Sequence, residues 1–240
     1  MEANTITVLR ELWMICFKDV DFHLFVESLI RTIELKDMYT AGHSRRVSEI
    51  AELICRGLNM PPGHCEYLHV IGHLHDIGKI GIAEGILMKS GKLSNAEYFL
   101  MQQHSVIGAS IFENLPGLEK MAKIIRHHHE RFDGKGYPDR LKGADIPLES
   151  AIIAIADSFD AMTSFRPYKP TLSQDQAIAE IEANKGTQFH PDLCDLFIAI
   201  YRDHTELLTG ITEDCVALDP SPYVPFKSTR SGSTGLEIRN

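Results

Sequence analysis

Apolar residues recur every three or four positions along most of this chain, the period of a helix buried on one side. No run alternates with the two-residue period of a strand, so the expected class is all-α. Leu9, Leu12, Trp13, Cys16 and Phe17 predict an amphipathic helix over 8–17, and Phe22, Phe25, Leu29, Ile30 and Ile33 predict another over 21–36. A third opens within 39–46 and carries Val47, Ile50, Ala51, Ile54 and Leu58 until Asn59 and Pro61-Pro62 stop it. From about residue 63 a fourth runs through Leu68, Val70, Ile71 and Leu74, delivers His75 and Asp76 near its end, and is broken by Gly78.

Ser94 and Glu97 have capping-box spacing and open a short helix towards His104, with a further helix expected beyond it around Val106, Ile107, Ile111 and Phe112. Residues 117–129 are helical by period and end in His127-His128-His129-Glu130. The glycines and proline of 132–138 predict a loop with positive-φ geometry. Residues 151–162 predict a helix that presents Asp157 and Asp160 on one face, because positions i and i+3 lie above one another. A second capping box at Ser173 and Gln176 opens the next helix, Gly186 closes it, and 191–208 form the last. From Pro220 the chain is rich in Pro, Ser, Thr and Gly, which predicts a flexible tail. These elements divide the chain into an N-terminal helix or linker (1–20), one helical domain (21–208) and a tail (209–240).

Composition narrows the function classes. Hydrophobic and charged fractions of 44% and 24% suit a globular domain, and a net charge of -9 argues against binding a DNA or RNA polymer. The five cysteines are odd in number and scattered, as expected of apolar fillers in a reduced, cytoplasmic compartment. No stretch of about 18 uninterrupted apolar residues exists, so no membrane span is expected. The 8–17 helix either packs on the domain or mates with a second subunit as a homodimer contact, and it resembles the linker helix of a longer sensor protein.

The candidate chemistry lies in histidines and aspartates near helix ends: His43, His75, Asp76, His104, His128, His129 and Asp157. A structural zinc takes four ligands, often thiolates, and these seven residues exceed it. Imidazole and carboxylate together suit iron, manganese or another first-row ion. Adjacent residues on a helix point about 100° apart, so His75-Asp76 serves one small ion poorly. The pair suits a wider cluster in which the carboxylate bridges two ions about 3.5–4 Å apart. His23, His64, His69 and His204 read as structural, His73 faces away from His75, and His127 is open to either reading.

The ordered set resembles the HD metal-dependent phosphohydrolase superfamily: His43, then His75-Asp76, then Asp157. His128-His129-Glu130 followed by Asp133-Gly134-x-Gly136-Tyr137-Pro138 is similar to its HD-GYP subfamily, and the likeness continues through 155–163 and Arg166-Pro167-Tyr168. The resemblance implies a helical bundle that hydrolyses the phosphodiester bonds of cyclic di-GMP. It implies one ion on His43, His75, Asp76 and Asp157, with Asp76 bridging to a second on His104, His128 and His129. Lys79, Arg166 and Lys169 match positions that contact substrate phosphates, Asp160 matches a catalytic carboxylate near the metals, and Asp76 is central to the chemistry. Tyr137, in a Gly-Tyr-Pro loop, would shape the pocket, and that loop could recruit a protein partner. Tyr39 stands where some relatives carry a Glu that binds a third ion; a phenol with a pKa near 10 ligates weakly, so two ions and pGpG as the main product are expected. His190 stands where relatives usually show Asp, at a helix N-cap before proline. The rival readings are a phosphohydrolase acting on another cyclic dinucleotide or nucleotide, and a catalytically silent cyclic di-GMP receptor.

Overall fold

Two helices joined by a short turn form the centre of the domain. The computed structural model describes residues 22–34, 42–164 and 171–213. In it, α1 (Phe22–Glu34) precedes the antiparallel pair α2 (His43–Gly57) and α3 (Pro62–Leu74). Pro62 supplies the preset φ of a first helical turn, and Asn59 takes positive φ in the connection. Ser48 on α2 and His73 on α3 hydrogen-bond at 3.1 Å, Oγ to Nε2. Because the helices run in opposite directions, that contact brings the start of α2 beside the end of α3. His43 and His75 are thereby placed together, though 32 positions separate them.

A 3-10 turn, Ile77–Gly81, and the short α4 (Glu84–Leu87) lead to α5 (Asn95–Phe112) and α6 (Glu119–His127). After the turn Gly143–Asp145 come α7 (Leu148–Thr163), α8 (Gln174–Ala183), α9 (Pro191–Asp203) and α10 (Thr205–Glu213). The expected all-α class holds: among the described residues the only β-pairing is an isolated bridge between Lys185 and Phe189. The core is rich in isoleucine, and Phe159 of α7 meets Phe197 of α9 edge to face, with ring centroids 5.2 Å apart. Cys55, Cys65 and Cys194 are free and buried within it, as expected of fillers.

Both capping boxes form. Ser94 Oγ accepts from Glu97 N while Glu97 Oε2 accepts from Ser94 N, and Ser173 and Gln176 do the same. Several boundaries differ from expectation. The two helices expected around 94–112 are one, because the small and polar residues His104, Ser105 and Gly108 are themselves buried and continue the packed face. The last expected helix is two, broken at His204, where φ is -136° and ψ 38°. Of the 21–36 helix, Phe22–Glu34 is described and helical, and the helix expected from 151 begins at Leu148. The N-terminal helix of 8–17, Tyr39, Arg166, Lys169 and the tail beyond Glu213 lie outside the described residues, while 209–213, expected in the tail, are the end of α10.

Gly78 does not simply break α3, which has already ended at Leu74. It packs the following turn onto the backbone of α5: a Cβ there would lie 1.9 Å from His104 O and 2.4 Å from Gly108 N. Those atoms are backbone and cannot swing aside. Gly78→Ala is therefore expected to destabilise the fold by at least the ~1–3 kcal/mol typical of overpacking. Thermal denaturation should show a fall of about 2–4 °C for each kcal/mol; an unchanged melting temperature would mean that α5 is free to shift.

Candidate metal centre

Three helix ends and two helix middles, at His104 of α5 and Asp157 of α7, converge on the seven candidate ligands. They form two groups, within each of which the ligand atoms lie within 4.8 Å of one another: Asp76, His104, His128 and His129, and His43, His75 and Asp157. Asp76 joins them. Its Oδ1 lies 3.3 Å from His104 Nε2, and its Oδ2 lies 3.4 Å from His75 Nε2 and 3.6 Å from His43 Nε2. Lys79 Nζ is 2.7 Å from the same Oδ2. His75 and Asp76 sit just past the end of α3 rather than within it, and His128 and His129 just past the end of α6.

Four of the five imidazoles are oriented from behind. Nδ1–H of His75 donates to Gly72 O at 2.7 Å, that of His104 to Met101 O at 2.7 Å, and that of His128 to Ile125 O at 2.6 Å. His43 Nδ1–H donates instead to a carboxylate, Asp160 Oδ2, at 2.6 Å. In all four rings the proton on Nδ1 leaves Nε2 with its lone pair towards the cluster. His104 Nε2 and His128 Nε2 face each other at 3.3 Å, and the buried His75 Nε2 has no hydrogen-bond partner. Two lone pairs so close repel, and a divalent cation between them would relieve the contact. The donor set thus fits a metal ion, and oriented imidazoles with second partners are the usual support for one.

At His104, His128, His129 and Asp76 the charge states agree with ligation, which needs neutral imidazole and ionised carboxylate. Burial holds His128 well below the usual histidine range, with His129, His75 and His104 adding to it. Burial, then His104, pushes His129 down to about 3, and burial also lowers His104. Burial opposes ionisation of Asp76, but the Lys79 ammonium and the neighbouring His75 and His43 outweigh it and hold its carboxyl well below its ordinary range. Burial opposes the charged form of His43, yet the carboxylates of Asp157, Asp160 and Asp76 together raise it well above the ordinary value. The carboxylates that favour a proton on His43 Nε2 favour a cation there.

Asp160 departs from the expected place. It is fully buried behind His43, and both its oxygens are engaged: Oδ1 by Arg46 Nε and Ser164 Oγ, Oδ2 by His43 Nδ1 and, at 3.1 Å, by Arg46 Nη2. It positions His43 and does not face the cluster. Asp157, one turn earlier on α7, approaches the other nitrogen of the same ring, its Oδ1 3.3 Å from Nε2. Arg46, missed in the sequence, was visible in principle: it lies on the same helical stripe as His43, Val47 and Ile50 and so had to be buried.

The remaining histidines divide plainly. His73 is buried against Ser48 and His69, and His69 Nδ1 lies 2.8 Å from Glu52 Oε2. His127 donates from Nδ1 to Lys123 O and pairs through Nε2 with Asp139, so it is structural. His190 is the N-cap of α9, but its side chain makes no capping bond. In the Gly-Tyr-Pro loop Gly134 has the expected positive φ of 78°. Gly136 serves close approach instead: a Cβ there would lie 2.4 Å from Arg131 N and 2.6 Å from His129 O. The loop folds back so that Tyr137 N–H reaches His129 O and the Tyr137 ring packs on that of His129, centroids 4.8 Å apart.

With this geometry in view, comparison with known proteins gives a consistent answer. The HD domain family model matches residues 27–193. The chain belongs to the HD domain family. It is 38% identical over 195 residues to a cyclic di-GMP phosphodiesterase of Thermotoga maritima, covering 80% of this chain and 53% of that one. It is 37% identical over 174 residues to a 3′3′-cGAMP-specific phosphodiesterase of Vibrio cholerae, covering 72% and 38%. The HD domain here thus spans about half the length, or less, of these relatives. Its fold matches the crystal structure of a cyclic GMP-AMP specific phosphodiesterase of V. cholerae with a TM-score of 0.55 at 22% identity, over 74% of this chain and 50% of that one. Among the described residues no helix is long and apolar enough to cross a membrane.

Replacing Asp160 by Asn removes the charge that orients His43 and pairs Arg46. Breaking one side of a buried ion pair costs about 3–5 kcal/mol, so the melting temperature should fall. In the protein that remains folded, metal affinity should drop roughly 10- to 100-fold, the usual effect of losing such support. Metal titration followed by elemental analysis reads this directly, and undiminished affinity would show that His43 is held without Asp160.

Proposed function

We propose that this HD domain is a divalent-metal phosphodiesterase that opens cyclic purine dinucleotides, with cyclic di-GMP as the first candidate. The observation that carries the reading is the position of Asp76, a single carboxylate within 3.6 Å of the Nε2 atoms of His43, His75 and His104. Two ions would be held here, one by His43, His75, Asp76 and Asp157 and one by Asp76, His104, His128 and His129. Iron fits the nitrogen-rich set, with manganese or another first-row ion as the alternative. When bound, such ions supply Lewis-acid charge that neutralises a phosphodiester and makes water acidic enough to act as a nucleophile near neutral pH.

The chain's own groups supply orientation and further charge. The backbone carbonyls behind His75, His104 and His128, and Asp160 behind His43, fix which nitrogen of each ring faces the substrate side. Lys79, already at the edge of Asp76, places an ammonium where a phosphate oxygen can accept its proton, and charge developing on that oxygen strengthens the bond. Tyr137, packed on His129, closes one wall. The names of the relatives support a cyclic dinucleotide; they differ over whether it is cyclic di-GMP or cGAMP.

Chromatography of products from cyclic di-GMP, 3′3′-cGAMP and cyclic di-AMP, with protein purified and loaded without oxygen, tests the reading. We expect two ions per chain, a linear dinucleotide as main product, and loss of both metal and hydrolysis in Asp76→Ala. A fully loaded protein that opens none of the three, or an Asp76→Ala variant with full metal and activity, would overturn it.

Arg166 and Lys169 are assigned here to the substrate phosphates on their match to the family pattern. Neither side chain can ligate a cation, so Arg166→Ala and Lys169→Ala should leave metal content unchanged. Each removes one charge-assisted hydrogen bond worth about 1.5–3 kcal/mol. Equilibrium dialysis with cyclic di-GMP should therefore show affinity roughly ten- to a hundredfold weaker, and unchanged affinity in both variants would place both residues off the substrate path.

A further inference from the structure

We infer that Tyr98, near the start of α5, is a base-stacking residue of this site. This rests on the phosphodiesterase reading above and goes beyond it, because it concerns the base rather than the phosphate. A ladder of rings leads outward from the candidate ligands. His129 packs on Tyr137 at 4.8 Å with planes 34° apart, and Tyr137 meets the ring of Tyr98 at 6.4 Å with planes 81° apart. His104 touches the same tyrosine from the metal side, at 6.4 Å. Tyr98 is 50% exposed, so its ring rests one edge or face on Tyr137 and leaves the rest open to solvent.

A large aromatic ring half in water is poorly used as core, and the packing here explains only the side against Tyr137. Its helix is otherwise firmly set: the Ser94–Glu97 capping box fixes the first turn, and Lys89 Nζ holds Glu97 Oε1 at 2.8 Å. The ring is therefore presented on a rigid turn and loses little freedom when a base covers it. Every purine offers a π-face, and base–aromatic stacking adds affinity without requiring hydrogen-bond readout. A site that reads only phosphate would need no such platform. Tyr98, Met101 and Ser105 share a face of α5 beside His104, with Tyr98 nearer the helix N-terminus than the ligand.

The test uses this chain loaded with metal and a cyclic dinucleotide in which one base is 2-aminopurine, whose fluorescence falls on stacking. With wild type the fluorescence should drop on binding. With Tyr98→Ala the quenching should be lost and Kd should rise roughly five- to a hundredfold, the range of one base–aromatic stack. Tyr98→Phe should restore both, whereas Tyr98→Leu, which keeps apolar bulk without a ring, should not. Metal content and melting curves of the variants, read alongside, separate a local loss of stacking from misfolding. If wild type binds and the alanine variant binds equally well with equal quenching, or if leucine serves as well as phenylalanine, the stacking role is wrong while the phosphodiesterase reading stands. If wild type neither binds nor opens any cyclic purine dinucleotide, the reading beneath it fails and the stacking role with it.

Discussion

The structure depends on keeping one buried carboxylate charged. Asp76 is only 8% exposed, and an ion taken out of water without compensation would simply take up a proton. Here the compensation is built from several directions: the Lys79 ammonium at 2.7 Å from its own chain segment, and imidazoles from α2, α3 and α5 around both oxygens. No single helix could furnish that set. The convergence of helix ends is the geometric consequence, and the backbone contact at Gly78 is what lets the turn bearing Asp76 come close enough to α5.

A second economy lies in how the rings are held. The last carbonyls of a helix have no partner within it. His75 and His128 are the residues that terminate α3 and α6, and each donates Nδ1–H to the carbonyl three residues back, on Gly72 and Ile125. One hydrogen bond thus satisfies a helix end and fixes an imidazole tautomer. This explains in physical terms why the candidate ligands cluster at helix termini: the termini offer both the free carbonyl and the change of direction that points a ring away from the helix surface.

The sequence made the local parts legible. Period, capping boxes and Pro62 located most helix starts, because those signals act within a turn or two of chain. It also displayed the candidate ligands, since histidine and aspartate at helix ends stand out against an apolar stripe. What it could not display was pairing at a distance. Asp160 reads as one more acid on the face of Asp157, and only the approach of Arg46, 114 positions earlier, turns it inward to hold His43. Tyr98 was equally silent, since a tyrosine in the first turns of a helix has no meaning until the loop bearing Tyr137 folds against it. The misplaced boundaries have a related cause. The apolar period fades where buried positions of α5 are occupied by His104, Ser105 and Gly108, so residues that serve the site hid the continuity of the helix that carries them.

The two ligand groups are not equivalent, and the difference follows from what lies behind them. The group of His43, His75 and Asp157 has a carboxylate of its own besides the shared Asp76, and His43 leans on a further carboxylate, Asp160, where His75, His104 and His128 lean on neutral carbonyls. A ring whose Nδ1–H is held by an anion is a stronger donor at Nε2. The group of His104, His128 and His129 has only Asp76 for charge, and burial keeps its imidazoles neutral. A cation on the first side is therefore opposed by more negative charge and bound by a better donor than a cation on the second. The charge-poor side is also the one against which Tyr137 packs, and beyond it Tyr98.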